Sequence, residues 1–204
     1  MNDTCLLMVF AKAPVAGLAK TRLTPALGME GAAALAVTML AHTLQSAVTA
    51  SIGPVELCCA PDTSDTHFQH AAAKSSVSLT EQGSGDLGER MERALSLGLQ
   101  RFRRVVLIGT DAPGLDAAML RTAAAALLAH DVVIAPASDG GYVLIGLSRP
   151  APELFDGVQW STPHVMAQTR ARAAAAGRSV CELATLHDID EPHDLVHVPA
   201  GWLA

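Results

Sequence analysis

The sequence predicts an α/β fold in which helices cover both faces of a mostly parallel sheet. Short, continuously apolar runs recur along the chain, and such runs are typical of strands buried on both sides. Alanine-rich segments with helical spacing separate these runs, and that alternation indicates a parallel sheet. With 204 residues, half of them hydrophobic, the chain has the length expected of one domain over residues 1–204.

Composition narrows the class of protein. The net charge is −6 with only 14 lysines and arginines, and no basic run is interleaved with aromatics, so we expect no nucleic-acid surface. The apolar run over 5–11 is too short to cross a bilayer and lacks a cleavage-site flank, and no later stretch supplies a membrane helix. The four cysteines lack metal-site spacing, which suits reduced thiols in a cytoplasmic protein.

The first predicted strand, over 5–11, leads into a loop that carries much of the positive charge. Two of the three lysines, Lys12 and Lys20, flank a loop containing Gly17, and Arg22 follows. Phosphate oxygens need cationic donors and a close approach to the backbone, which a glycine permits. A merely solvated, charged loop is the alternative interpretation. The spacing matches neither the Walker pattern nor the dinucleotide fingerprint.

The remaining elements continue the alternation of strands and helices. Helical spacing and capping signals predict helices over 30–49, 91–102 and 116–129, a short polar helix after Pro61, one from about Pro163 to Gly177, and one starting at Pro192. Apolar runs predict strands over 55–60, 77–80, 105–109, 131–136, 142–147 and 179–183.

A glycine-rich stretch precedes the second long helix. Three glycines within six residues, among them Gly85, predict a loop whose backbone could approach a ligand. Arg90 at the predicted helix start opposes the positive end of the helix dipole. Either an anion in a cleft or pairing with Asp86 or Glu89 would explain that placement.

A buried strand over 105–109 delivers Asp111 into a turn that stops at Pro113. Ligands of open α/β sheets sit just past the carboxyl ends of central strands, and a carboxylate there suits Mg²⁺ or Mn²⁺. Capping of the turn is the alternative role of this aspartate. Near the carboxyl terminus, Asp188 and Asp190 share one face if the backbone is extended, and they form either a second cation site or half of the first.

Two further loops are ambiguous. Asp139, Gly140 and Gly141 between apolar runs predict either a hairpin turn or a backbone surface that comes close to a sugar. Ser161 or Thr162 is expected to cap the helix that begins near Pro163.

Taken together, the motifs resemble those of a bacterial family of glycosyltransferase-A-like proteins, in the family's order and over nearly the whole chain. The matching stretches are Lys12-Ala13-Pro14, Lys20-Thr21-Arg22-Leu23, Gly85-Asp86-Leu87-Gly88-Glu89-Arg90-Met91, Gly109-Thr110-Asp111-Ala112-Pro113, Asp139-Gly140-Gly141-Tyr142, Trp160-Ser161-Thr162 and Asp188-Ile189-Asp190-Glu191-Pro192. Several also look like those of phospholactate-type guanylyltransferases in the nucleotide-diphospho-sugar transferase superfamily.

The resemblance implies a single-domain, Rossmann-like GT-A fold that binds a nucleotide and Mg²⁺ or Mn²⁺. By motif position it assigns the nucleotide and its phosphates to Lys12, Gly17, Lys20, Arg22, Gly85 and Arg90. It assigns the metal to Asp111, Asp188 and Asp190, and the chemistry to Asp111, Asp190 and Lys20. The transferred group or the acceptor falls to Asp139, Gly140, Gly141, Trp160 and Ser161.

The expected function is metal-dependent transfer of a glycosyl group from a nucleotide sugar to a small-molecule acceptor. Two alternatives remain open: nucleotidyl transfer from a nucleoside triphosphate to a phosphorylated small molecule, and non-catalytic binding of a nucleotide sugar. Neither a nucleic acid nor a membrane is an expected partner, and a homodimer is an open alternative for the assembly.

Overall fold

A computed structural model describes residues 2–203, which form a seven-stranded sheet with helices packed on it. The strands are β1 (Asn2–Lys12), β2 (Val55–Ala60), β3 (Ser78–Glu81), β4 (Phe102–Ile108), β5 (Val132–Pro136), β6 (Tyr142–Leu147) and β7 (Val180–Glu182). The α-helices are α1 (Thr24–Ala50), α2 (Thr66–Ser75), α3 (Leu87–Leu99), α4 (Ala117–Ala126) and α5 (Val165–Ala175). Short 3₁₀ helices cover Thr21–Leu23, Pro152–Leu154 and Pro192–His197.

The strand order is β3-β2-β1-β4-β6-β5-β7, and β6 alone among the described strands runs antiparallel to its neighbours β4 and β5. The chain first builds outward from β1 to β2 and β3, and then returns to place β4 on the other side of β1. The strand order therefore reverses between β1 and β4, and such a switch point opens a crevice at the carboxyl ends of the strands. The predicted mostly parallel sheet is confirmed.

Two apolar cores lie on opposite faces of this sheet, because successive strand side chains point to opposite sides. Leu7 and Val9 of β1 face α1, α2 and α4, whereas Leu6 and Met8 face α3 and α5. Helices therefore cover both faces, as the sequence predicts. A third cluster fastens the carboxyl-terminal segment to α1 through the fully buried Ile189.

The 3₁₀ helix Thr21–Leu23 leads directly into helix α1, which is kinked at Gly28, where φ is 71°. By length and composition, the segment Thr21–Ala50 is the one helix of residues 2–203 that could cross a membrane. In the folded chain α1 packs against α2 and α4, and its apolar face joins the core.

Helix α3, helix α5 and the final helix differ from the predicted ones in where they begin or in their type. Helix α3 begins at Leu87 because Asp86 and Glu89 form a reciprocal capping box, so Gly88 is helical rather than part of the predicted loop. Helix α5 begins at Val165, beyond Pro163, and neither Ser161 nor Thr162 caps it. The final predicted helix is a 3₁₀ helix.

Asp131, just before β5, binds the residues that precede β7 and follow β6, and its ionisation makes the stability of the protein depend on pH. Its carboxylate accepts hydrogen bonds from the Ser179 amide at 2.9 Å, the Ser179 hydroxyl at 3.0 Å and the Arg149 guanidinium at 2.6 Å. These donors, the Ser179 amide foremost, lower the pKa of the Asp131 carboxyl. A carboxyl whose pKa falls on folding stabilises the protein above its unfolded pKa, about 3.9, and loses that contribution as pH falls through the folded pKa.

We therefore expect Asp131→Asn to lower the free energy of unfolding by about 1 kcal/mol at pH 7. Urea unfolding of both proteins between pH 7 and pH 2.5 measures the difference. It should be constant above about pH 5 and shrink below about pH 4. A difference that stays unchanged down to pH 2.5 would contradict the role of the ionised carboxylate.

Candidate active site

A cleft of about 820 Å³ opens at the carboxyl ends of β1 and β4, where the strand order reverses. Strand-end and helix residues such as Phe10, Leu107 and Met91 give it an apolar floor. Its charged lining residues, among those the structure describes, are Lys12, Lys20, Arg22, Arg90, Asp111 and Asp190. The loops after β1 and β4 thus meet in one cleft, as the sequence predicts.

Lys20 is the side chain that joins the loops. It is only 8% exposed, and its Nζ lies 2.8 Å from Asp111 Oδ1 and 3.7 Å from Asp190 Oδ1. The same ammonium donates to the carbonyl oxygen of Ile189 at 2.5 Å. The backbone of Lys20 is left-handed, with φ 48° and ψ 42°, a conformation that costs a non-glycine residue about 1–3 kcal/mol. The surrounding contacts hold this strained residue in place.

The carboxyl-terminal segment reaches the cleft through a set of main-chain and ionic contacts. The Ile189 amide donates to the carbonyl oxygen of Asp111 at 2.8 Å, which docks this segment on the β4 loop. Arg22 binds Asp190 at 2.8 Å, and the amide of Asp190 donates to Asp194 Oδ2 at 3.0 Å. Two cations, Lys20 and Arg22, therefore lie against the Asp190 carboxylate.

Asp188 lies in the opposite electrostatic setting. Burial, and to a smaller extent the negative charges of Asp139, Asp194 and Asp111, raise the pKa of its carboxyl to about 6. Within residues 2–203 no group of three His, Cys, Asp or Glu side chains converges with metal-site geometry. Mg²⁺, however, is often held by one or two carboxylates together with substrate phosphates. Asp188 does not line the cleft, but its carboxyl interacts electrostatically with Asp111, so these two side chains supply the carboxylate oxygens that such a cation prefers.

Arg90 also lines the cleft, and it does not pair with the carboxylate of Asp86 or Glu89. The carboxylates of Asp86 and Glu89 are used in the capping box of α3. The Arg90 guanidinium instead donates from Nη1 to Gln82 Oε1 at 2.8 Å and from Nε to the Asp86 carbonyl oxygen at 3.2 Å. Gln82 has no distinguishing signal in the sequence, since it is one glutamine in a polar loop, and the prediction missed it.

Lys12 differs from the other cleft lysine in having no counter-charge. It is exposed at the end of β1, and no described carboxylate lies within ion-pair distance of it. A cation without a partner, next to a cleft, is free to meet an anionic ligand.

The structure places several predicted site residues outside the cleft lining. Gly17 packs near Met29, and Gly85 lies by Glu89 in a separate depression of about 540 Å³. Trp160 packs between Phe155 and Tyr142 with its ring against Gly88, where a Cβ would lie 2.3 Å from the indole nitrogen. Ser161 is exposed with a left-handed backbone.

The loop of Asp139, Gly140 and Gly141 is the connection between β5 and β6, so the hairpin interpretation describes its backbone correctly. Asp139 Oδ1 accepts from the Gly141 amide at 2.7 Å, and Gly140 is left-handed with φ 93°. The loop itself does not line the cleft, although the next residue, Tyr142, does. The structure thus brings this loop to the edge of the site rather than into it.

Comparison with known proteins places this arrangement among nucleotide-using transferases. The model of a family described as uncharacterized protein conserved in bacteria (DUF2064) matches residues 43–162. A protein from Desulfovibrio desulfuricans, provisionally named a nucleotide-diphospho-sugar transferase, has 30% identity and a TM-score of 0.86, covering 95% of this chain and 85% of that chain. No curated protein sequence matches.

More distant solved structures share the fold. CMP:2-keto-3-deoxy-manno-octonic acid synthetase, complexed with CTP, is 12% identical with a TM-score of 0.60, and the match covers 96% of both chains. Glucosyl-3-phosphoglycerate synthase from Mycobacterium tuberculosis, complexed with Mn²⁺, UDP and glucosyl-3-phosphoglycerate, is 10% identical with a TM-score of 0.60, covering 96% of this chain and 75% of that one. The fold is therefore that of nucleotide-sugar transferases and nucleotidyltransferases.

Proposed function

The chain belongs to the bacterial DUF2064 family, and from this premise and the cleft we propose that it is a metal-dependent cytoplasmic transferase. It moves a glycosyl group from a nucleotide sugar to a small-molecule acceptor. The observation that carries this proposal is the meeting of Lys20, Asp111 and Asp190 at the switch point of the sheet. A diphosphate with a bound cation needs that combination of cations and carboxylates.

Lys12, with no carboxylate partner among the described residues, binds the departing diphosphate. Lys20 has a different role, because its ammonium is buried and already bound to Asp111 and to the Ile189 carbonyl oxygen. It keeps the Asp111 carboxylate oriented and adds positive charge behind the phosphates. Cationic donors fixed before the reaction stabilise charge that develops on the leaving group.

Asp111 and Asp188 would hold Mg²⁺ or Mn²⁺, since both supply carboxylate oxygens and lie close enough for their charges to interact. Asp190 is assigned to anchoring Lys20 and Arg22, because both cations already face it. When bound, the metal neutralises negative charge on the diphosphate as its bond to the sugar lengthens.

The transferred sugar would lie towards the β5–β6 connection. Asp139, Gly140 and Gly141 stand at that edge of the cleft, and Tyr142 lines it. Trp160 supports this wall from behind, through its contacts with Tyr142 and Gly88.

The charge around the cleft favours glycosyl transfer over nucleotidyl transfer. Four described cations line it, but Lys20 and Arg22 are paired with carboxylates. Among the four, that leaves Lys12 for the diphosphate and Arg90 on the α3 side of the cleft, which is little positive charge for a phosphorylated acceptor as well. The nucleotidyl-transfer alternative would need more cations beyond the donor site.

Thermal unfolding with a panel of nucleotide sugars and nucleoside triphosphates, each with and without Mn²⁺, tests the proposal. We expect one nucleotide sugar at about 100 times its Kd to stabilise the protein by about 2.7 kcal/mol with Mn²⁺, and its triphosphate by less. A larger effect of the triphosphate would favour nucleotidyl transfer. Stabilisation without turnover of any donor would favour a binding protein, and no metal-dependent effect of any ligand would overturn the proposal.

A further inference from the structure

Gln82 is a buried side chain whose polar atoms are all used. It is 6% exposed, and its Nε2 donates to the carbonyl oxygens of Ala11 at 3.1 Å and Cys58 at 2.9 Å. These two bonds fix the amide orientation, so Oε1 is the atom that faces Arg90. Arg93 donates to the carbonyl oxygens of Gln82 at 2.9 Å and Ser84 at 2.8 Å, which holds the backbone of this loop.

The Arg90 guanidinium is held on one side and free on the other. Nη1 and Nε are bonded to Gln82 and to the Asp86 carbonyl oxygen, while Nη2 has no hydrogen-bond partner among the described residues. A planar guanidinium fixed in this way presents its remaining donors in one defined direction. Arg90 lines the cleft, so these donors are available to a ligand there.

The hydrogen bond to Gln82 places Arg90 on the β2 side of β1, away from Asp111, the proposed metal ligand. The Gln82 amide is bonded to the ends of β1 and β2, whereas Asp111 follows β4 on the other side of β1. With strands about 4.8 Å apart, this separation is roughly 5–10 Å. The walls beside Arg90 are apolar, contributed by Ala60, Pro61, Leu87 and Met91. Apolar walls with one fixed donor group suit a flat, uncharged ring better than a phosphate.

We propose that Arg90, positioned by Gln82, recognises the nucleobase and selects a base that carries a carbonyl oxygen: guanine, uracil or cytosine. Adenine has no carbonyl oxygen, and its acceptors N1 and N7 each lie beside an amino donor that the guanidinium would oppose. The inference rests on the proposed function, because it takes the ligand of the cleft to be a nucleotide. It assigns Arg90 to the base rather than to the phosphates.

Calorimetric titration with GDP, UDP, CDP, ADP and inorganic pyrophosphate, all with Mn²⁺, tests this assignment. One carbonyl-bearing nucleotide should bind the wild type about five- to a hundredfold more tightly than ADP. Arg90→Lys keeps the positive charge but loses the planar set of N–H donors. It should therefore abolish the preference over ADP and leave pyrophosphate affinity within about twofold of the wild-type value. Gln82→Met removes the oxygen that accepts from Arg90, so it should also weaken the preference over ADP.

Arg93→Lys is the matched control, since Arg93 lies on the same helix and bonds the same loop but does not line the cleft. It should keep the preference. Three results would overturn the assignment of Arg90 to the base while leaving the proposed function intact. They are equal binding of ADP by the wild type, a base preference that survives Arg90→Lys, and a loss of pyrophosphate affinity in Arg90→Lys. Failure of every nucleotide to bind the wild type would overturn both. If Gln82→Met does not fold, Arg90→Lys decides the result.

Discussion

Asp111→Asn should reduce turnover of the nucleotide-sugar donor by about a hundredfold or more. The substitution removes the negative charge that faces Lys20 at 2.8 Å and one of the two proposed metal ligands. A divalent cation contributes several kcal/mol of charge stabilisation, and each 1.4 kcal/mol is about tenfold in rate. Initial rates of donor consumption with saturating Mn²⁺ measure the effect.

Asp116→Asn is the matched control for this experiment. Asp116 caps helix α4 by accepting from the Met119 amide at 2.8 Å, and asparagine caps a helix about as well as aspartate. We expect it to change neither turnover nor the Mn²⁺-dependent stabilisation by nucleotide, whereas Asp111→Asn should abolish that stabilisation. A Mn²⁺-dependent shift that persists in Asp111→Asn would contradict the assigned cation site.

Gly140→Ala should destabilise the fold by about 2–4 kcal/mol. Gly140 has φ 93°, and an added Cβ would lie 2.3 Å from the carbonyl oxygen of Pro163. The left-handed backbone and the forced displacement of the Pro163 main chain both add to the cost. The movement would also disturb the hydrogen bond from the Met166 amide to the Gly140 carbonyl oxygen, 2.8 Å long, which starts α5. Urea unfolding at pH 7 measures the change.

Gly177→Ala separates the cost of the left-handed backbone from the cost of the contact with Pro163. Gly177 is also left-handed, with φ 63°, but an added Cβ meets nothing within 4 Å. It should cost only about 1–2 kcal/mol, the backbone part alone. Equal destabilisation by the two substitutions would mean that the contact with Pro163 does not limit the β5–β6 connection.

Much of the fold and part of the site follow from local signals in the sequence. Buried strands appear as apolar runs in the sequence. The loops of a parallel sheet lie at the ends of its strands. Asp111, which closely follows the apolar run of β4, is therefore expected at the edge of the sheet. The predicted start of the helix over 116–129 is confirmed, because Asp116 caps helix α4. The cluster of Lys12, Lys20 and Arg22 also stands out locally, since lysines are rare in this chain.

What the sequence could not show depends on contacts between distant segments. The pairing of Arg22 with Asp190 spans 168 positions, and that of Gln82 with Ala11 spans 71. The antiparallel direction of β6 depends on whether its short connection forms a hairpin, and the Asp-Gly-Gly stretch suited two interpretations. Trp160 sits next to polar, turn-forming residues, yet its packing on Gly88 is set by the tertiary structure.

Metal-dependent glycosyl transfer is tested most directly by ³¹P NMR of the protein with Mg²⁺, which is diamagnetic, the best-binding nucleotide sugar and a mixture of small-molecule acceptors. We expect the nucleoside diphosphate signal to grow with the wild type and not to grow with Asp111→Asn. A second sample contains the corresponding nucleoside triphosphate in place of the nucleotide sugar. Release of pyrophosphate in that sample, with no nucleoside diphosphate formed from the sugar donor, would contradict glycosyl transfer and identify a nucleotidyltransferase.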